Sequence, residues 1–149
     1  MRKYLFILAV FYLGIGCQES KKEIIYKTVY VYRDTCDSEF MRKIGEIESF
    51  NTDNAIGDGG RALGRYGIHS VCVKGSGLES LLGYTHKDMQ DSTKSMHVFW
   101  AAMGVNSHLY AQRYGKYPTF EELARMWNGG PNGNQYKSTL KYLEKFRSL

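Results

Sequence analysis

The chain has 149 residues, 43% of them hydrophobic, with 20 Lys+Arg against 15 Asp+Glu and a net charge of +5. That supports one small domain and excludes two. No Lys/Arg block marks a nucleic-acid surface, and the mild basic excess suits either an anionic polymer or a solvated face with no partner.

The first sixteen residues read as a signal peptide rather than as part of the fold. Arg2 and Lys3 form a short basic start, and Tyr4 to Gly16 is an uncharged apolar run. At about 13 residues it is short for a membrane span, which takes roughly 20, but right for the apolar core of a signal peptide. Leu13-Gly14-Ile15-Gly16-Cys17 resembles a bacterial lipobox, with the Leu one position earlier than usual, so Cys17 is the expected lipidation site. An uncleaved N-terminal anchor and an ordinary secretory signal are the alternatives. All three place the domain outside the cytoplasm, facing periplasm or cell surface. Without Arg2 and Lys3 the mature balance is 18 basic against 15 acidic residues, or +3. Of three cysteines, Cys36 and Cys72 then remain, and in an exported chain they read either as a disulfide or as two free thiols.

Residues 17–36 read as a lipid-anchored tether, although Ile25, Tyr26 and Val29 to Tyr32 also fit a short strand. The folded domain is expected over 37–149. A helix capped by Asp37 or Ser38 carries Phe40, Met41, Ile44 and Ile47 at helical spacing. Glu48 follows Ile44 by one turn and so sits beside the apolar face, where partial desolvation raises a carboxyl pKa. Asn51 to Gly67 is glycine-rich loop. Leu78 to Leu82 reads as one or two helical turns. Asp91 or Ser92 opens a longer helix with Met96, Phe99, Trp100 and Met103, which Gly104 is expected to kink or interrupt. Thr119-Phe120-Glu121-Glu122 is a capping box for a helix reaching about Trp127. A turn-rich loop follows. Ser138 or Thr139 then opens a last amphipathic helix with Leu140, Leu143 and Phe146. The pattern is mostly α, with room for a small β element in the glycine-rich loop.

Glycosidic bond cleavage commonly uses two carboxyl groups flanking the sugar ring. Glu48 at a helix end and Asp58 in the following loop supply such a pair. Glu48-Ser49, the spacing to Ala55, Gly57-Asp58-Gly59-Gly60 and Ala62-Leu63-Gly64-x-Tyr66-x-Ile68 resemble the active-site segment of the lysozyme superfamily. The nearest likeness is to soluble lytic transglycosylases and invertebrate-type lysozymes. A second block, Ala124-Arg125-Met126-Trp127-Asn128-Gly129-Gly130-Pro131-Asn132-Gly133, is similar to the Ala-Arg and Asn-Gly-Gly-Pro signature of the invertebrate type. It also matches the Tyr-Asn-x-Gly block of the transglycosylases, with Trp127 for Tyr, and Ser138-Thr139-x-x-Tyr142 continues the similarity.

The resemblance implies a lysozyme-like α-helical domain that cuts the β-1,4 bond between N-acetylmuramic acid and N-acetylglucosamine in peptidoglycan, needing no cofactor and no metal. Glu48 matches the general acid. Asp58 lies where the invertebrate type carries its second carboxylate; were it only a turn residue, a single-acid lytic transglycosylase mechanism is implied. Asn128, Gly129 and Gly130 match the cleft wall, and Tyr66 its floor. Trp127 reads as a sugar-stacking platform or as core. His69 reads as a structural hydrogen-bonder. One departure stands out. The family usually has Gln before the Ile, where this chain has Gly67, and Arg65 replaces a common Pro, Leu or Tyr. Arg61 and Arg65 are the candidates to replace the Gln. A non-catalytic glycan-binding lipoprotein of the same fold, or a phage-encoded lysis or exclusion lipoprotein, is the alternative.

Overall fold

The computed structural model describes residues 38–149. The signal segment 1–16, Cys17, the tether 17–36, Cys36 and the capping candidate Asp37 lie outside the described residues.

The described residues are mostly helical. Helix α1 spans Ser38–Ser49. Two short antiparallel strands follow, β1 (Ile56–Gly57) and β2 (Ala62–Leu63), with Ile56 opposite Leu63. A 3-10 turn at Asp58–Gly60 joins them, and Leu63 also bridges to Ile68. Helices α2 (Ser70–Gly75) and α3 (Leu78–Leu82) and a 3-10 turn at His86–Gln90 lead into α4 (Ser92–Tyr114). Helix α5 covers Phe120–Gly129, and α6 covers Leu140–Ser148 after 3-10 turns at Gly133–Gln135 and Lys137–Thr139.

Helix α4 is the axis of the domain. Val98, Phe99 and Trp100 are buried in succession. Three consecutive helical residues point in three directions, so packing surrounds this part of the helix. Phe40 of α1 lies 6.0 Å from Phe99 and 6.4 Å from Trp100, and Phe146 of α6 lies 5.7 Å from Phe40. Each such ring contributes roughly 1.5–3 kcal/mol on leaving water. The expected interruption at Gly104 does not occur: α4 runs unbroken to Tyr114. A helical glycine costs about 1 kcal/mol against Ala, and burial of Met103, Ser107 and Tyr110 on either side of it offsets that.

Local signals set most boundaries. The Asp91 side chain accepts from the Lys94 N–H at 2.9 Å and caps α4. Thr119 and Glu122 exchange bonds as a capping box at α5. The last helix turns differently from its expected face. Tyr142, Leu143 and Phe146 are buried, whereas Leu140 is exposed.

Candidate active site

Glu48 sits on the last turn of α1, and the chain reverses immediately after it. Phe50 and Asn51 both adopt left-handed backbone (φ 53° and 57°). Ser49 holds this reversal. Its hydroxyl donates to the Arg65 carbonyl at 2.7 Å and accepts from the Thr52 N–H at 3.0 Å. The same hydroxyl that ends the helix therefore anchors the turn that leads to Gly67.

Gly67 packs against the acid. A Cβ built on it falls 2.9 Å from Glu48 Oε2 and 3.6 Å from both Glu48 Cβ and Cδ, and its φ is +60°. Left-handed backbone costs an L-residue roughly 1–2 kcal/mol, and the close approach adds to that. The departure from the resembled Gln thus has a steric reason in this backbone. The two arginines near it are occupied. Arg65 donates from Nε and Nη2 to the Asp53 carboxylate at 2.7 and 3.2 Å, and Arg61 donates to Asp58 Oδ1 at 2.6 Å. Neither lines the cleft, so neither stands in for a glutamine beside Glu48.

The partners of Glu48 come from the other end of the chain. Tyr142 of α6 donates its hydroxyl to Glu48 Oε1 at 2.7 Å. The Trp127 indole of α5 lies on the same side of the cleft. Burial raises the Glu48 pKa above its usual 4.5; the bond from Tyr142, the neighbouring Trp127 indole and the charge of Lys145 oppose the rise without cancelling it. A carboxyl group held in this way keeps its proton at higher pH than a solvated one, which is what a general acid needs. The Tyr142 hydroxyl is pushed up as well, first by burial and then by the adjacent carboxylate, so it stays a donor.

The second sequence block explains how Tyr142 arrives there. Arg125 donates from Nε to Thr139 Oγ1 and from Nη2 to the Tyr136 carbonyl, both at 2.9 Å. Thr139 is fully buried and donates to the Gly133 carbonyl at 2.7 Å. A Cβ on Gly133 would collide with the Arg125 backbone, and one on Gly129 would meet the Thr139 methyl at 2.6 Å. Close packing of α5 on the 133–139 turns therefore fixes where α6 starts, and Tyr142 lies on its first turn.

Glu48 opens onto a cleft of about 570 Å³. Of the residues singled out in the sequence, Glu48, Trp127, Asn128 and Gly130 line it together. Trp127 is half-buried and does two jobs at once: its ring meets Phe99 edge-on at 4.8 Å, and its other side faces the cleft. Gly129 lies behind the wall, against Thr139 and Tyr136. Tyr66 is not a cleft floor. It is 3% exposed, stacks on Phe99 at 4.5 Å and belongs to the core, where burial pushes its hydroxyl up to about 12. Its influence reaches the cleft through Phe99 and Trp127. Asp58 lies outside the cleft at the tip of the β1–β2 hairpin, 45% exposed and paired with Arg61.

His69 departs from its expected role. His69 is exposed, lines the cleft, and has its Nε2 3.7 Å from Asp58 Oδ2. The structural hydrogen bond expected of it is made by His86, whose Nε2–H donates to the Ile68 carbonyl at 2.8 Å and steadies the segment after Gly67. Cys72 has no disulfide partner among the described residues, and burial raises its thiol to about 11.

Two contributors were not singled out from the sequence. Tyr142 was visible only as the last residue of the third matched segment. Asn106 lines the cleft from α4, and its signal was a polar side chain on the same helical face as Ala102 and Met103.

No protein-family model, curated protein or solved structure matches the chain.

Proposed function

We propose that this chain is a peptidoglycan-cleaving glycosidase acting on the β-1,4 bond between N-acetylmuramic acid and N-acetylglucosamine, with Glu48 as its general acid. The observation that carries the reading is the setting of Glu48. It is half-buried in the wall of an open cleft, oriented by the Tyr142 hydroxyl, and raised in pKa by desolvation. The two sequence blocks that suggested the activity support it further, because they converge on this one carboxyl group.

In the proposed reaction Glu48 gives its proton to the glycosidic oxygen as the C–O bond breaks, leaving positive charge at the anomeric carbon. Glu48 is the one carboxylate lining the cleft among the described residues. That favours closure by the sugar's own 6-hydroxyl. Its oxygen bonds to the anomeric carbon, its proton returns to Glu48, and no water is consumed. The reaction is then a lytic transglycosylation. A hydrolytic reading with Asp58 as second carboxylate draws support from the 3.7 Å separation of Asp58 from His69, which does line the cleft. Residues 1–17 support export and anchoring through a lipid on Cys17.

Mass spectrometry of peptidoglycan digested by the wild type and by Glu48→Gln tests both. Anhydro-muropeptides that vanish in the variant are the expected result. Reducing muropeptides that vanish would select hydrolysis. Intact peptidoglycan with the wild type would overturn the enzymatic reading.

A further inference from the structure

Trp127 and Tyr142 come from different helices, yet both take their place from α5. Trp127 lies on α5 itself and lines the cleft. Tyr142 lies on α6, and the link from α5 to the start of α6 runs through Arg125. This half-buried arginine reaches across 11 and 14 positions of chain, and it bonds to two neutral oxygens rather than to a carboxylate. A planar guanidinium donates in a fixed fork, so the Tyr136 carbonyl and the Thr139 hydroxyl are held at a set spacing. Thr139 gives up a local bond to take part. It stands at the N-cap of α6, where a threonine hydroxyl ordinarily accepts from the first backbone N–H groups of its own helix. Here the hydroxyl makes no such cap; it accepts from Arg125 and donates to the Gly133 carbonyl. The start of α6 is therefore registered against α5 and not by its own cap. Tyr142 follows Thr139 by less than one helical turn, so the register passes to it without a flexible link.

From this chain of contacts we propose that Arg125 is a positioning residue for Glu48: through Thr139 it sets where the Tyr142 hydroxyl meets the Glu48 carboxyl, 2.7 Å away. The inference rests on the reading of Glu48 as general acid and adds to it a residue that does not line the cleft. The charged and titratable groups that face Glu48 are Tyr142 and Lys145 of α6, with His69 and Cys72 elsewhere in the cleft wall. Arg125 is not among them. Its influence is one of place and not of charge, and the two are separable. Lysine keeps the charge and loses the fork, whereas glutamine loses both. Both variants are expected to fold, because Thr139 keeps the Gly133 carbonyl as its partner and the carbonyl of the exposed Tyr136 takes water instead.

The test compares the full chain with Arg125→Lys, Arg125→Gln, Tyr142→Phe and the double variant that combines Arg125→Gln with Tyr142→Phe. Muropeptide release is followed against pH, and the Glu48 carboxyl carbon is titrated by NMR. Both Arg125 variants are expected to lower the rate about three- to tenfold, up to the loss expected for Tyr142→Phe. They should also move the alkaline limb of the profile and the carboxyl titration upward, the direction set by loss of the Tyr142 bond. In the Tyr142→Phe background, Arg125→Gln should lower the rate by less than about twofold more and leave the titration unmoved, since the bond it positions is already gone. A limb and a titration that stay put in the single variants overturn the inference and leave Arg125 as packing only, as do additive losses in the double variant. A wild-type profile with lysine beside a shifted one with glutamine also overturns it, because charge then carries the effect. Should the double variant not fold, Arg125→Lys combined with Tyr142→Phe decides by the same criteria. Absence of muropeptides with the wild type, while the carboxyl titration moves as expected, overturns the glycosidase reading alone and leaves the placement of Glu48 by Arg125 standing.

Discussion

Glu48 and Asp58 belong to the same short stretch of sequence, yet they occupy opposite physical settings. Glu48 is held by the Tyr142 hydroxyl of α6, walled by Gly67 and desolvated. Asp58 projects from a two-stranded hairpin into solvent and pairs with the next arginine along the chain. The difference shows what it takes to change a carboxyl group's chemistry. Long-range packing excludes water from one, whereas a local turn and an exposed ion pair hold the other at the surface.

The comparison breaks most sharply at Glu48. Glu48→Gln is expected to lower muropeptide release by about 10²- to 10⁴-fold, the usual contribution of a general acid. It is also expected to raise the Tm at neutral pH. Burial lifts the folded-state pKa, so the stability that Glu48 contributes is fully present below its unfolded value near 4.5 and is lost as pH rises through the folded one. The Tm advantage of the glutamine should therefore vanish in acid. An advantage that grows as pH falls would contradict the raised pKa.

Next in size is the wall. Gly67→Gln, which restores the residue common in the resembled family, is expected to lower stability by roughly 1–3 kcal/mol through its left-handed backbone. It should also reduce cleavage, because the new Cβ displaces the Glu48 carboxylate. Thermal melting and muropeptide release together check this. An unchanged Tm with faster cleavage would mean that the loop around Gly67 relaxes freely.

Tyr142→Phe removes a bond to the carboxylate form of Glu48. The expected loss in rate is about tenfold, in line with the roughly 1.5–3 kcal/mol of a bond to a charged group. Because that bond lowers the Glu48 pKa, its removal should move the alkaline limb of the pH–rate profile upward. A uniform loss of rate with an unmoved profile would mean that Tyr142 only supports packing.

The smallest effect is expected at the hairpin tip. Asp58→Asn should change stability by no more than about 1 kcal/mol, as for other exposed ion pairs, and cleavage by less than about threefold. A loss of three orders of magnitude would make Asp58 the second carboxylate and erase the contrast between the two sites.

Much of this arrangement was legible along the chain. The end of α1 near Glu48, the Asp91 cap and the Thr119–Glu122 capping box follow from local rules, and Trp127, Asn128 and Gly130 of the second singled-out segment do line the cleft. The errors share one cause. Tyr66 lies in a segment that otherwise frames the site, yet stacking on Phe99, thirty-three positions later, makes it core. Gly104 reads as a helix breaker, but the packing on both sides of it outweighs its propensity. The structural hydrogen bond expected of His69 falls to His86 because hydrogen-bond partners depend on which backbone passes by, and spacing carries no record of that.

By itself the sequence determined where helices start and stop, because capping and periodicity act over three or four residues. It also marked Glu48 as the acid to watch. Only the tertiary structure decided that Tyr142 holds that acid, that Trp127 joins it in the cleft wall, that Gly67 must lack a side chain, that Asp58 stays outside the cleft, and that Asn106 faces into it. Desolvation and hydrogen bonding at a site are set by groups far apart in the chain, and those distances exist only once α4 has gathered the other helices around it.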